Sequence, residues 1–280
     1  MKIWILGAQG HLGKAVSDYC AKEKIPYIAS GRADADVTDL EKLKRLSEKI
    51  QPTYLINCAA YTNVDGAEAD SKLAYATNGL GADHIGIIGR EQGIQVAHVS
   101  TDYVFDGEQD RPYLETDRPN PIGVYGKSKL EGELRLLEQL PTACIVRTSW
   151  IFGHRGKNFI SSILPRLQEE EQIEVDADQF NRATYHRDLA RALVDLACLS
   201  GIFHFANGEV ATRYQIVKDF HAIALKRNIA LRCKKISPTS FASPIRPKYS
   251  ALDTKKATLA LGRKPQLWET VLGEYVDAHF

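Results

Sequence analysis

Residues Lys2–Gly13 read KIWILGAQGHLG. A short apolar run stops at Gly7, and Gly7, Gly10 and Gly13 recur at every third position before an apolar-periodic segment that reaches about Cys20. The pattern predicts strand, tight turn and helix. Glycines at this turn let the backbone come close to a ligand. The helix N-terminus offers free N–H groups and a positive dipole end to a pyrophosphate. A β–turn–α connection without a ligand is the plainer reading of the same residues. Under the ligand reading, Gly7, Gly10, His11, Leu12 and Gly13 are the candidate contacts.

The same alternation continues along the chain. Pro26–Ser30, Tyr54–Ala60 and Gln95–Ser100 read as strands, separated by helical segments over Leu40–Ile50 and Val64–Arg90. Ala143–Arg147 and Gly201–Ala206 add two more strands. The predicted class is α/β, a Rossmann-type doubly wound parallel sheet. Asp178–Tyr185 reads as a polar loop and Ser237–Pro247 as a Pro- and Ser-rich stretch. The tail beyond the nucleotide-binding part predicts a smaller C-terminal substrate-binding lobe. The expected division is 1–149 plus about 183–208 for dinucleotide binding, and about 150–182 plus 209–280 for the lobe.

Cofactor preference is read at the end of the second strand. NAD-binding sheets of this kind place an acidic residue there for the ribose 2′-hydroxyl. Here the residues are Ser30-Gly31-Arg32, and Arg32 suits a 2′-phosphate, so NADPH is favoured over NADH. Asp34 and Asp36 are close enough to compete for Arg32. Asp36 and Val37 precede the 40–50 helix, which Thr38 or Asp39 caps, and lie where such folds hold adenine. Ala59 and Ala60 are small enough to admit a cofactor ribose, and Tyr61 and Thr62 follow.

Val99–Lys129 carries the chemistry. A strand ends at Ser100-Thr101, and a helix starting near Tyr125 puts Tyr125 and Lys129 on one face, four residues apart. An ammonium beside a phenol favours the phenolate and lowers the phenol's pKa from about 10. A Thr101 hydroxyl alongside would hold a carbonyl oxygen, making a proton-donating site for ketone reduction. Tyr-x-x-x-Lys alone is a common spacing, and an exposed surface pair is its plain alternative. Trp150 follows the next strand, at the end of the sheet where ligands bind, and is either a stacking platform or a core residue.

Composition narrows the class. The chain has 280 residues, 44% hydrophobic and 25% charged, with net charge +1. That charge gives no footprint for nucleic acid or a membrane surface. Apolar runs are shorter than the ~20 residues a bilayer span needs, and the N-terminal run is too short for a signal peptide. Five scattered cysteines without a CxxC fit reduced thiols in a cytoplasmic protein.

The chain resembles the extended short-chain dehydrogenase/reductases, and within them the dTDP-4-dehydrorhamnose reductase family. The resemblance is carried by Gly7–Gly13, NCAAYTNVD (Asn57–Asp65), STDYVFDG (Ser100–Gly107), YGKSKLEGE (Tyr125–Glu133), RTSW (Arg147–Trp150), DQF (Asp178–Phe180) and RPKYSALD (Arg246–Asp253). It implies NAD(P)H-dependent reduction of the 4-keto group of dTDP-4-dehydro-L-rhamnose to dTDP-L-rhamnose. Gly10, His11 and Leu12 would wrap the pyrophosphate. Ser30, Arg32, Asp36 and Val37 would flank the adenosine, and Ala60, Tyr61 and Thr62 the nicotinamide ribose. Tyr125 would donate the proton, Lys129 would hold the ribose and tune Tyr125, and Thr101 would bind the reacting oxygen. Thr101, Asp102, Trp150 and Arg246 would contact the sugar nucleotide.

The chain departs from that family in two places. Asn181 and Ala183 stand where the family commonly has Gly and Pro. Ala15 and, in a later loop, about Arg187 stand where some members hold Mg²⁺ between subunits with glutamates. The resemblance therefore implies no metal, and a monomer or weak homodimer without metal bridging. Two other readings stay open. One is a reductase or epimerase for another nucleotide sugar. The other is a non-catalytic regulator like the methionine adenosyltransferase β subunit.

Overall fold

The computed structural model describes residues 1–154, 156, 158–240 and 243–279. The first strands and helices are β1 (Ile3–Leu6), α1 (His11–Lys22), β2 (Tyr27–Ser30), α2 (Leu40–Ile50) and β3 (Tyr54–Asn57). Three helices follow, α3 (Val64–Ala69), α4 (Ser71–Tyr75) and α5 (Gly81–Gln92), then β4 (Gln95–Thr101), α6 (Val124–Gln139) and β5 (Cys144–Thr148). Beyond them come β6 (Ile151–Phe152), α7 (Phe159–Glu169), β7 (Gln172–Asp176), β8 (Phe180–Asn181), β9 (Thr184–Tyr185) and α8 (His186–Leu196). The chain ends with β10 (Gly201–His204), β11 (Ala211–Thr212), α9 (Arg213–Lys226), β12 (Lys235–Thr239), α10 (Lys255–Leu261) and α11 (Trp268–His279).

Six strands form one sheet in the order β10-β5-β4-β3-β1-β2, every pairing parallel. Both faces are covered, which is why these strands are continuous apolar runs rather than alternating ones. Ile3, Ile5, Ile56 and Val146 pack with α1 and α8, while Trp4, Leu6, Leu55 and Ile145 pack with α2, α5 and α6. After β2 the chain returns across β1 to build β3 on the other side. The sheet order reverses there, and open α/β sheets hold ligands in the crevice at that point.

Local chemistry moves several expected boundaries. The strand predicted to reach Ala60 stops at Asn57, whose side chain accepts the Ala59 N–H and turns the backbone off the ladder. The segment predicted as one helix over 64–90 is broken, because Asp70 ends α3 and its carboxylate caps α4 at Leu73 N. A π-helical turn over Ala76–Leu80 then precedes α5. It aims Asn78 inward to bond Tyr61 N, Tyr61 O and Ser128 Oγ, a common use of such turns near functional sites. The polar 178–185 loop holds the short strands β8 and β9, paired with β11 and β6. The Pro- and Ser-rich stretch, of which 241 and 242 lie outside the described residues, overlaps β12, which pairs with β7. Pro238 is tolerated there because β12 has a ladder on one side only.

A second apolar core gathers Phe152, Ile160, Leu167, Val175, Phe220 and Tyr275 from α7, β7, α9, α11 and their neighbours. Most of it lies in the chain regions expected to form the lobe, but Ala183 and Tyr185, from the 183–208 stretch expected with the nucleotide-binding part, pack into it too, and Ala257 of α10 packs into the first core.

Candidate active site

Gly7 has φ +69°, and a Cβ there would stand 2.6 Å from Ala59 N. A Cβ at Gly13 would stand 2.3 Å from Gly7 O. The first position needs glycine for its left-handed backbone, and both need it for close packing of loop, helix and β3. Gly10 is the N-cap of α1 and no side chain caps that end, so the first-turn N–H groups stay open to an anion. These features fit a dinucleotide pyrophosphate. Among the other expected contacts, Ser30 is buried and accepts the Trp4 indole N–H at 2.9 Å. Arg32 is exposed and bonds Asp36 at 3.1 Å. Asp36 also accepts Thr38 N and Oγ1, and Val37 O contacts His84.

A cleft of about 490 Å³ runs from this loop across the strand ends. It brings together Gly10, His11, Leu12, Ala60, Thr62, Thr101, Asp102, Tyr125, Lys129, Trp150 and Arg246. Gly7, Gly13, Ser30, Arg32, Asp36, Val37 and Tyr61 do not line it. Helix α6 can approach because Gly126 and Gly132 carry no side chain. A Cβ at either would lie 2.1 Å from a carbonyl oxygen, that of Tyr103 or of Asn78. The Tyr125 phenol is within hydrogen-bond reach of Thr101. Thr101 donates to Asp102 Oδ1 at 3.0 Å and accepts the Tyr103 N–H at 3.2 Å.

The electrostatics differ from expectation in one respect. Lys129 was predicted to pull the phenol down. Burial dominates instead and holds Tyr125 above its ordinary value, helped by the nearby Asp102 and Tyr103 and opposed by Thr101. Lys129 is itself lowered to about 8 by burial, and its nitrogen is engaged by Val99 O and His98. A phenol that keeps its proton through neutral pH suits a donor to a ketone oxygen.

Asp102 is buried and pushed up to about 6, burial outweighing bonds from Ser250, Asn181 and Thr101. Asn181 Nδ2 donates to Asp102 Oδ2 at 2.6 Å, and the Ser250 hydroxyl donates to the same oxygen at 2.7 Å. The ionised carboxylate fixes the Thr101 hydrogen, so kcat/KM is expected to fall as pH drops through about 6. Removing a donor disfavours the charged form. Asn181→Ala is expected to move that acid limb upward in a pH–rate profile, and an unmoved limb would contradict the coupling.

Arg213, which the sequence reading missed, also lines the cleft. Its guanidinium lies 5.0 Å from the Trp150 ring centroid and its Nε is buried with no protein acceptor among the described residues. Arg246 is paired with Asp65 through two bonds of 2.7 Å. Two guanidiniums at one end of the cleft suit a diphosphate. A larger hollow of about 840 Å³ is lined by Ala15, His186, Arg187 and Glu274, and contains none of the Thr, Tyr and Lys set. Among the described residues no cluster of three His, Cys, Asp or Glu is arranged to hold a metal ion.

The family model for the RmlD substrate binding domain matches residues 1–280. The chain belongs to the RmlD family. A dTDP-4-dehydrorhamnose reductase of Mycobacterium tuberculosis is 35% identical, covering 99% of this chain and 93% of that protein. A dTDP-4-keto-6-deoxy-D-glucose reductase of Streptomyces niveus is 37% identical over 77% of this chain and 76% of its own. The crystal structure of a Bacillus anthracis dTDP-4-dehydrorhamnose reductase in complex with NADP is 31% identical. It superposes with a TM-score of 0.92, covering 100% of this chain and 99% of that one. RmlD membership and the Rossmann-like fold thus bear out the resemblance read from the motifs.

Proposed function

We propose that this chain is an NADPH-dependent reductase that converts dTDP-4-dehydro-L-rhamnose to dTDP-L-rhamnose. The observation that carries the reading is the meeting of Thr101, Tyr125 and Lys129 with the glycine loop in one cleft, in a chain matched along its whole length by the RmlD model. Bound NADPH supplies the hydride. Tyr125 donates the proton to the ketone oxygen, Thr101, its own hydrogen committed to Asp102, orients the Tyr125 phenol beside that oxygen, and Lys129 holds the ribose. The α1 N-terminus with Gly10, His11 and Leu12 binds the pyrophosphate, with Gly7 and Gly13 shaping the loop. Ser30, Arg32, Asp36 and Val37 border the adenosine, and Ala60, Tyr61 and Thr62 the nicotinamide ribose. Asp102, Trp150, Arg213 and Arg246 receive the sugar nucleotide. The second core, with the division given above, supplies the substrate lobe. The protein works in the cytoplasm, as a monomer or a homodimer without a bridging metal.

The assay is loss of NADPH absorbance with the keto sugar generated in situ, the product identified as dTDP-L-rhamnose. No loss with tight cofactor binding would point to a different 4-keto sugar, a reading favoured by the Streptomyces niveus relative. Arg32 tests the cofactor assignment. A charge-assisted bond to the 2′-phosphate stabilises by about 1.5–3 kcal/mol, so Arg32→Ala is expected to raise the KM for NADPH about ten- to hundredfold and leave that for NADH nearly unchanged. Equal changes for both would remove Arg32 from the 2′-phosphate.

A further inference from the structure

Three buried side chains run in line beneath the cleft. Asn57 Nδ2 lies 3.0 Å from His98 Nδ1, and His98 Nε2 lies 3.1 Å from Lys129 Nζ. Lys129 Nζ also donates to Val99 O at 2.7 Å. Asn57, His98 and Lys129 are each at most 3% exposed, so a mismatched pair between them is costly.

The hydrogens in this line follow from one backbone group. The Ala59 N–H donates to Asn57 Oδ1 at 2.9 Å. Turning the amide over would set its NH2 against that N–H, so Nδ2 is the atom that faces the imidazole. An amide nitrogen only donates, and His98 Nδ1 must therefore accept. A neutral imidazole carries a single hydrogen, which then sits on Nε2 and points at Lys129. Burial and the neighbouring lysine both oppose a doubly protonated His98. An ammonium has only hydrogens to present to that N–H, whereas an amine has a lone pair. Every bond in the line is made when Lys129 is neutral, and one becomes donor against donor when it is charged.

We propose that Asn57 and His98 are positioning residues that tune the charge of Lys129, the amide locking His98 as its Nε2–H tautomer and that N–H favouring the amine over the ammonium, so that the lysine gives up its proton more readily than an ordinary one. The proposal rests on the reading that Lys129 belongs to the reductase site. The other groups facing Lys129 are Cys58 at the end of β3, and Tyr125 and Glu133 one turn to either side on α6. Cys58 and Glu133 favour the ammonium but are outweighed by burial. Cys58 is itself pushed up to about 12, and the Glu133 carboxylate is paired with Arg147. A lysine whose ammonium is disfavoured pulls less on the phenol of Tyr125 and so leaves it its proton, the state that a donor needs.

Nitrogen-15 NMR of histidine-labelled protein reads the tautomer directly and does not depend on turnover. The expected wild-type signature is His98 with hydrogen on Nε2 and a bare Nδ1. Asn57→Leu adds no charge and releases Nδ1, so the ring is expected to move its hydrogen to Nδ1 and accept from Lys129 through Nε2. The Lys129 titration, followed at its labelled ε-carbon, should then rise by about one pH unit, a tenfold gain in proton affinity. Asn57→Asp should switch the tautomer in the same direction. A wild-type His98 with hydrogen on Nδ1 would overturn the proposal without any variant, and so would an Asn57 variant that shifts neither tautomer nor titration. A protein with no reductase activity but these signals would retain the charge tuning and lose only the functional reading.

Discussion

Tyr125→Phe is expected to lower kcat by about 10²–10⁴-fold, the contribution of a positioned general acid. The change removes one hydroxyl and little else. The ring stays edge-on to Tyr103 at 5.9 Å, and α6 keeps its glycine contacts with the Tyr103 and Asn78 carbonyls. NADPH affinity by fluorescence titration and the urea unfolding midpoint should therefore match the parent. Turnover within tenfold of the parent would take the proton-donor role from Tyr125.

The largest stability effect is expected two turns further along the same helix. Glu133 and Arg147 are each 2% exposed in their side chains and meet through Arg147 Nη2 at 2.6 Å and Nε at 2.9 Å. Arg147 also faces His204 Nε2 at 3.5 Å and lies 5.2 Å from the Phe105 ring centroid. His204 is lowered to about 3 by burial and by Arg147, so it stays neutral and leaves the arginine one carboxylate for charge balance. Glu133→Gln strands that buried cation, and breaking such a pair costs about 3–5 kcal/mol. Urea denaturation is expected to show that loss, and the double variant Glu133→Leu, Arg147→Met to recover most of it. A single variant as stable as the parent would mean that water or another group neutralises Arg147.

What the sequence made legible was local. The strand, Gly7–Gly13 turn and α1 are contiguous, and the Tyr125–Lys129 pair needs one helical turn. The strands of the parallel sheet were readable because burial on both faces leaves unbroken apolar runs. The contacts that tune the site are long-range. Asp102 meets Asn181 and Ser250, 79 and 148 residues away. Lys129 meets His98 across 31 residues, and no spacing rule joins a helix to the underside of a strand. Asn181 stood out only as a departure from the family pattern, with nothing to say that its amide would turn inward to Asp102. Arg213 begins α9 behind an ordinary capping box, and its local sequence reports the cap and not the cleft. The expected lowering of Tyr125 failed for a related reason. Proximity of Lys129 was legible, but the burial of both groups was not.

The central claim is that hydride from NADPH and a proton from Tyr125 are added across a sugar C4 ketone. The most direct measurement uses NADPH carrying deuterium at the transferable C4 position of the nicotinamide, with NMR and mass analysis of the sugar product. The account predicts dTDP-L-rhamnose with one deuterium on sugar C4 and one NADP⁺ formed per sugar. Deuterium retained by the cofactor, or a sugar product at the same oxidation level as the substrate, would contradict it.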